Sequence, residues 1–581
     1  MPENHLPADK IGRDLIFIGC GLLLVVATGL GVRDPWPADE PRFAALARDM
    51  AITGEWLFPR VGGDLYQDKP PLFFWLLALA YEATGSVRAS FLLPSLVCAS
   101  GIVLFVYDLG RRLAGRESAL IAALLLLCTL QFVITARSAQ IDCTLCFLTT
   151  LSVYGLMRHL LVSPSWTWYF IGGLAAGLGV ITKGVGFLPL LLLLPYFLMR
   201  NRGWLGLTPA SATAGRFGWR WWLAPLGMLS AISLWLVPML MAADANPAEY
   251  AAYRDEILFK QTAGRYAAAW HHVKGWHFFL VEVIPALWLP WSILLIWLVP
   301  RWRSAWQARD AKVWLPLSWV ALVLLFFSIS PGKRGIYIFP ALPALAIASL
   351  PFLRDVLARS SVQRISFGLG MLFWMASAAL AAAYLLGADF ARALIAAAGL
   401  DDAMPVYIYF LICGALLVVA WRRSRIAGWP IALVTLACVF SFGIAPAMNP
   451  ERSSARFMRG VLAQLREDEQ LGLVAYKEQF LLYLDRQTFN FGHRRWLEGP
   501  QESFDAAAWL TAGKSRVLLV PRGQLKPCFF GTFAGRASSE DWFLARAPAN
   551  AECVAKGNAN RAISYPRIPL ASSGEGTNRA E

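Results

Sequence analysis

The sequence predicts an α-helical polytopic membrane protein with a small C-terminal α/β domain, and three observations predict it. Of 581 residues, 57% are hydrophobic and only 16% are charged, well below the roughly 25% charged residues of soluble proteins. Apolar runs of roughly 18 to 24 residues recur from Leu15 to Ala447, each long enough to cross about 30 Å of hydrocarbon as a helix. Beyond Ala447 the pattern turns polar with mixed periodicity, as expected of a soluble appendage.

Charge orders the helices. The formal net charge of +15 resides in part in short basic loops such as Arg111, Arg112 and Arg116, or Arg422, Arg423 and Arg425. That placement orients spans by the positive-inside rule and excludes nucleic-acid binding as its cause. Lys10 and Arg13 precede a full-length apolar span with no small-residue cleavage site soon after, so the segment is expected to stay as the first helix. A naive count adds a span at Pro70–Thr84. If that segment crossed, nearly every later basic loop would fall outside, and it begins with Pro70-Pro71, is short and carries Glu82, so it is expected as a juxtamembrane helix. About thirteen spans remain, near 14–33, 88–111, 117–136, 141–161, 166–182, 184–200, 220–243, 276–299, 312–330, 335–352, 365–387, 404–421 and 428–447. An odd number starting inside puts the C-terminal region outside the cytoplasm.

The expected organisation is a membrane domain over 1–449, with a first external loop at 34–87, a soluble α/β domain over 450–567 and a disordered tail over 568–581. In the soluble domain Phe457, Val461, Leu462 and Leu465 mark an amphipathic helix, and Leu471–Tyr476 and Val517–Val520 read as strands. Cys528 and Cys553 are its two cysteines and a disulfide between them is plausible in an oxidising compartment. Cys143 and Cys146, at the start of a span, read as buried apolar residues. Gly177 and Gly179 lie inside a span and read as a close helix contact, not a nucleotide loop.

Four polar segments, 34–69, 137–142, 244–275 and 330–335, gather on the outer face, joined by the Thr182-Lys183-Gly184 turn. The first opens with Asp39-Glu40-Pro41-Arg42-Phe43 and an amphipathic stretch through Ala51. Gly54-Glu55-Trp56-Leu57 and Tyr66-Gln67-Asp68-Lys69-Pro70-Pro71 follow. With Ala136-Arg137-Ser138 to Asp142, Thr182-Lys183-Gly184 and the Ser330–Pro343 stretch SPGKRGIYIFPALP, this chain resembles the bacterial aminoarabinose transferase family. That family belongs to the polyprenyl-phosphate-dependent membrane glycosyltransferases of the GT-C class and is related to protein O-mannosyltransferases. Asp68 is a departure, because the family commonly has Glu before Lys-Pro-Pro.

The resemblance implies a GT-C fold and inverting transfer of 4-amino-4-deoxy-L-arabinose from undecaprenyl phosphate to a phosphate of lipid A, at the periplasmic face of the bacterial inner membrane. Another sugar, such as a hexosamine or a mannose-like one, or a glycan or protein acceptor, fits the same donor chemistry. A transporter or lipid flippase is the reading from a different class, although ionisable residues cluster in loops and no repeated half is apparent.

Breaking a glycosyl phosphate leaves extra negative charge on the departing phosphate, which cations stabilise. Lys69 is the first candidate; Arg254 and Arg265 can share that task, Tyr66 and Tyr337 can donate hydrogen bonds, and Lys183 can meet a donor or acceptor phosphate or lipid headgroups. Glu40, Arg42 and Arg60 are candidate substrate-binding residues, Arg42 and Arg60 for an acceptor phosphate or for pairing with loop acids. Asp39 and Asp142 are the candidate catalytic acids. Asp39 would serve as general base toward a hydroxyl acceptor, whereas toward an anionic phosphate the acids would position the sugar or offset oxocarbenium-like charge. As alternatives, Asp39 is an N-cap and Asp142 pairs with Arg137. No cofactor is required by this chemistry; a divalent metal, Zn or Mg, is conceivable on Asp68, His271 and His272.

Overall fold

In a computed structural model, the described residues are 8–208, 218–258, 273–493 and 495–566. Each of the thirteen expected intervals falls largely on helical segments. Seven helices among the described residues are long and apolar enough to cross a membrane, among them Ile141–Val162, Trp219–Ala245, Ala311–Ile329, Ser360–Leu385 and Met404–Arg423. Two bent pairs, Arg116–Leu127 with Leu130–Ala136 and Phe279–Leu287 with Trp291–Gln307, turn by 65° and 114° and raise the number to nine if each is one span. The Pro70–Thr84 segment forms a helix over Leu72–Thr84, 13 residues long and about 20 Å at 1.5 Å per residue.

The described chain divides into two compact units. The first comprises Met1–Leu30, Asp68–Phe73 and Leu92–Ile444; the second comprises Gly31–Gln67, Phe74–Phe91 and Ala445–Glu581. Most of the first external loop, expected to belong with the helices, therefore groups with the C-terminal region.

The helical unit is held together by small residues and satisfied breaks. A Cβ at Gly173 would overlap the Ala224 carbonyl, and one at Gly177 would overlap that of Met228, so helices Trp166–Lys183 and Leu223–Ala245 meet backbone to backbone. Backbone freed at a helix break must find partners away from lipid, and here the breaks satisfy one another. Leu130 N donates to Leu289 O at 3.1 Å. Trp291 Nε1 donates to Thr129 Oγ1 at 2.9 Å and Trp288 Nε1 to Gln131 Oε1 at 2.6 Å. Gln131 Nε2 in turn donates to Gly335 O at 2.9 Å, fixing the start of the 3-10 stretch Gly335–Ala341 that carries Tyr337. Elsewhere, basic loop residues also anchor helices: Arg116 forks Asp14 at 2.5 and 2.6 Å, and Tyr107 Oη donates to the same carboxylate at 2.7 Å.

The second unit is built on two short strands, β1 (Arg60–Val61) and β2 (Asp64–Leu65), and a six-stranded sheet. Its strands are β3 (Gln470–Leu473), β4 (Thr488–Asn490), β5 (Arg516–Pro521), β6 (Gly531–Ala537), β7 (Glu540–Arg546) and β8 (Ile563–Tyr565), ordered β6-β7-β5-β3-β4-β8. β3 runs parallel to β4 and β5; the other pairs are antiparallel. Fully buried Val517–Val520 explain the apolar run read as a strand, and the expected amphipathic helix spans Ala455–Leu462.

Cys528 and Cys553 form a disulfide across 25 residues with Cα atoms 5.5 Å apart, while Cys143 and Cys146 are buried thiols. A loop of that length confines the unfolded chain by about 3–4 kcal/mol. Replacing both cysteines by Ser is expected to lower hydrogen-exchange protection across β5 and β7 of the full-length protein by a corresponding amount.

Glu469, buried between Arg546 (2.7 and 3.0 Å) and Arg466, is the main acid-sensitive tie of this sheet. The Arg546 hydrogen bonds outweigh burial and hold its carboxyl down to about 2. Because the folded value lies below the ordinary one, the pair stabilises fully above about pH 4.5 and is lost as pH falls toward 2. Glu469→Gln is therefore expected to lessen the protection of β3 and β7 at neutral pH, with the gap from wild type closing below pH 4 when the two are compared at matched pH.

Candidate functional site

In the helical unit, the turn at Lys183 carries the densest set of expected residues. Asp142 lies in the first turn of helix Ile141–Met157 and Lys183 is the last residue of helix Trp166–Lys183. A carboxylate at a helix N-terminus and an ammonium at a C-terminus each sit where the macrodipole favours them. Lys183 Nζ donates to Asp142 Oδ1, both side chains being mostly buried, and the same ammonium stands 4.5 Å from the Tyr337 ring centroid, a cation–π distance. Tyr337 is braced by Phe327, centroid to centroid 5.3 Å. The helix ends at Gly184, φ +72°, a left-handed position that admits a sharp turn only cheaply for glycine.

The alternative reading in which Asp142 pairs with Arg137 is corrected. Arg137 donates instead to Val25 O and Thr28 Oγ1, both at 2.8 Å, and to Ser441 Oγ. Arg137 caps a neighbouring helix end, and Lys183 takes the acid. Lys69 precedes helix Leu72–Thr84 and its Nζ donates to the Asp68 carbonyl at 3.0 Å. Arg254 is drawn to its own loop, 3.0 Å from Asp244 and 2.9 Å from Asp255. Arg265, His271 and His272 lie outside the described residues. Among the described residues no group of three or more His, Cys, Asp and Glu could hold a metal ion.

In the second unit, Asp39 occupies the N-cap position of helix Glu40–Thr53 but makes no capping hydrogen bond. Its carboxylate lies 3.7 Å from Arg42 Nη1. Arg42 Nε donates to Glu478 Oε1 at 3.0 Å. Burial opposes the charge on Arg42, but Glu478, Tyr66 and Asp39 outweigh it and hold the guanidinium above its ordinary range. Tyr66 is itself buried, its ring edge-on to Phe74 and to His493, and His493 Nε2 lies 3.8 Å from Glu478 Oε1. Asp39, Arg42, Tyr66, Glu478 and His493 thus form one polar cluster made by the loop and the C-terminal region.

Glu40, a candidate substrate contact, is engaged within the fold. Arg33 forks it at 2.5 and 2.8 Å and Trp36 N donates to it at 2.9 Å. Arg60, in β1, donates to Gly63 O at 3.2 Å and borders a small cavity with Asp49, Phe58 and Tyr565. Glu478 and His493 were missed from sequence. Their only signal is polarity between apolar runs, and they meet the loop across more than 400 residues. The loop is tied to the C-terminal region elsewhere too: Asn449 bridges Asp34 and Trp36, Asn490 Nδ2 donates to Gly62 O at 2.7 Å, and Arg48 Nη2 reaches Leu481 O and Tyr565 Oη.

The dolichyl-phosphate-mannose-protein mannosyltransferase family matches residues 68–215. An undecaprenyl phosphate-alpha-4-amino-4-deoxy-L-arabinose arabinosyl transferase of Pseudomonas aeruginosa is 31% identical over 527 residues, covering 87% of this chain and 86% of the relative. One of Pseudomonas fluorescens is 28% identical over 455 residues, 75% of each. Among solved structures, ArnT from Cupriavidus metallidurans bound to undecaprenyl phosphate superposes with a TM-score of 0.70 at 21% identity, covering 92% of this chain and 98% of that one. Its apo form gives 0.68 at 20%, over 95% and 100%. These two share the fold described above. On the strength of the P. aeruginosa relative, matched over most of both chains, the chain belongs to the family of undecaprenyl phosphate-alpha-4-amino-4-deoxy-L-arabinose arabinosyl transferases.

Proposed function

We propose that the protein transfers 4-amino-4-deoxy-L-arabinose from undecaprenyl phosphate to a phosphate of lipid A at the periplasmic face of the bacterial inner membrane, through a GT-C fold of thirteen spans. The observation that carries this reading is the match to the P. aeruginosa transferase along nearly the whole of both chains. The chemistry of the helical unit is consistent with it. The bond from sugar C1 to the donor phosphate oxygen breaks, and the electron pair leaves with undecaprenyl phosphate. A bond from C1 to an acceptor phosphate oxygen forms on the opposite face. That oxygen is already ionised, so no general base is needed. The charge growing on the departing phosphate is offset by Lys69 and Lys183, with Tyr337 as hydrogen-bond donor. Asp142 orients Lys183 and offsets positive charge developing on the sugar ring. In the second unit, Arg42, fixed by Glu478, suits a phosphate, and the Asp39 carboxylate beside it suits a sugar amino group.

Purified protein given labelled undecaprenyl phosphosugar and lipid A is expected to yield sugar-substituted lipid A and free undecaprenyl phosphate. Intact donor moved across a vesicle membrane without cleavage would assign a transporter instead. Mass spectrometry of lipid A from cells with and without the gene identifies acceptor and sugar, and an unchanged phosphate substitution would sink the lipid A assignment. For topology, reporters fused after Asp64 and after Arg116 are expected on opposite sides of the membrane. Same-side reporters would make Leu72–Thr84 a span.

A further inference from the structure

The Ser330–Pro343 stretch contains a cation that neither the reaction above nor any ion pair among the described residues employs. Lys333 is 4% exposed. Its Nζ donates to Ser330 O at 2.5 Å and Lys274 O at 2.9 Å, and both acceptors are neutral carbonyls. Among the described residues, the other buried cations are matched by acids: Arg33 by Glu40, Arg42 by Glu478, Arg48 by Asp49. Burying an ammonium away from water costs several kcal/mol unless a counter-charge offsets it.

Ser330 follows helix Ala311–Ile329 as its C-cap, and a helix C-terminus supplies only about half a negative charge. Two carbonyls also leave one of the three ammonium hydrogens for a further acceptor. Consistent with this imbalance, burial holds the Lys333 ammonium below its ordinary pKa.

Position adds to chemistry. The two carbonyl bonds and the Val273–Gly332 bridge tie the loop ends at 273–274 and 330–334 together. Four residues after Lys333, Tyr337 N donates to Arg334 O at 3.0 Å, and the Tyr337 ring lies under Lys183.

We propose that Lys333 is a phosphate-binding residue whose missing counter-charge is the phosphate group of a lipid substrate. This deepens, and rests on, the reading of the protein as a transferase between phosphorylated lipids. The same phosphate chemistry is offered by the polyprenyl donor and by a phosphorylated, acylated glucosamine disaccharide acceptor, and the experiment separates them.

Lys333→Gln is the informative variant, because its amide can still donate to both carbonyls while the charge is gone. Full-length wild type and variant in nanodiscs are each titrated with undecaprenyl phosphate, with the phosphorylated disaccharide lipid and with neutral undecaprenol. Wild type is expected to prefer undecaprenyl phosphate to undecaprenol. The variant should lose about tenfold or more of affinity for one phosphorylated lipid, the loss of one charge-assisted hydrogen bond, with undecaprenol unchanged. Whichever phosphorylated lipid is affected is the source. Lys333→Arg should recover part of that selectivity. Equal losses for charged and neutral lipids, or no loss, would reduce Lys333 to a loop clamp and overturn the proposal. A wild type indifferent to phosphate would overturn the transferase reading itself. Should the Gln variant fail to fold, the Arg variant decides: a folded Lys333→Arg that still prefers one phosphorylated lipid to undecaprenol supports the proposal, and one that has lost all such preference overturns it.

Discussion

Lys69→Ala should leave the protein inserted and folded yet slow sugar transfer by roughly 10²–10³-fold in kcat, the usual loss when one preorganised donor to a developing anion is removed. Within the fold the ammonium bonds to the carbonyl of Asp68 beside it. The size-exclusion profile separates any loss of fold from a loss in catalysis. Single-turnover assays on purified wild type and variant, with size-exclusion profiles for the folded state, check this. Lys69→Arg should be intermediate, since it keeps the charge and changes the geometry. Full activity in the Ala variant would remove Lys69 from the reaction.

The Asp142–Lys183 pair should respond in the opposite pattern, with stability and activity falling together. Lys183→Met leaves a mostly buried carboxylate without its ammonium; breaking a buried pair costs about 3–5 kcal/mol. The lower end applies, because each side chain retains some exposure, 14% for Lys183 and 12% for Asp142. The double variant Lys183→Met with Asp142→Asn removes both charges and should regain most of the lost stability. Transfer should stay at the level of the weaker single variant. Thermal unfolding in detergent and transfer rates, arranged as a double-mutant cycle, separate the two effects. If activity returned with stability, the pair would be a structural tie alone.

How much of this was legible in the sequence depended on how local the physics is. The spans could be read because twenty apolar residues in a row have few alternatives to a membrane helix. Val517–Val520 could be read because a short apolar run bounded by polar residues fits a buried strand. Pairings could not. Asp142 has Arg137 five residues away and Lys183 beyond the next helix, and local proximity favours the wrong one; the helix hairpin decides. Glu40 looked like a binding residue because the partner that consumes it, Arg33, lies just before a turn whose shape the sequence does not specify. The largest omission was the C-terminal region, read as an appendage. Asn449, Glu478 and Asn490 hold the first external loop through side-chain polar contacts, and nothing in their local periodicity announces a partner hundreds of residues upstream.

The placement of Lys183 depends on a contact without any polar atom to mark it. Gly179 faces Gly186 so closely that a methyl on Gly186 would overlap the opposing backbone, and this contact closes the hairpin whose tip aims the ammonium. The geometry of this turn is thus stored in the absence of side chains. Inherited change can erode it without touching a charged residue, and a relative could keep every acid and base in this region yet lose the Asp142–Lys183 pairing through one added carbon.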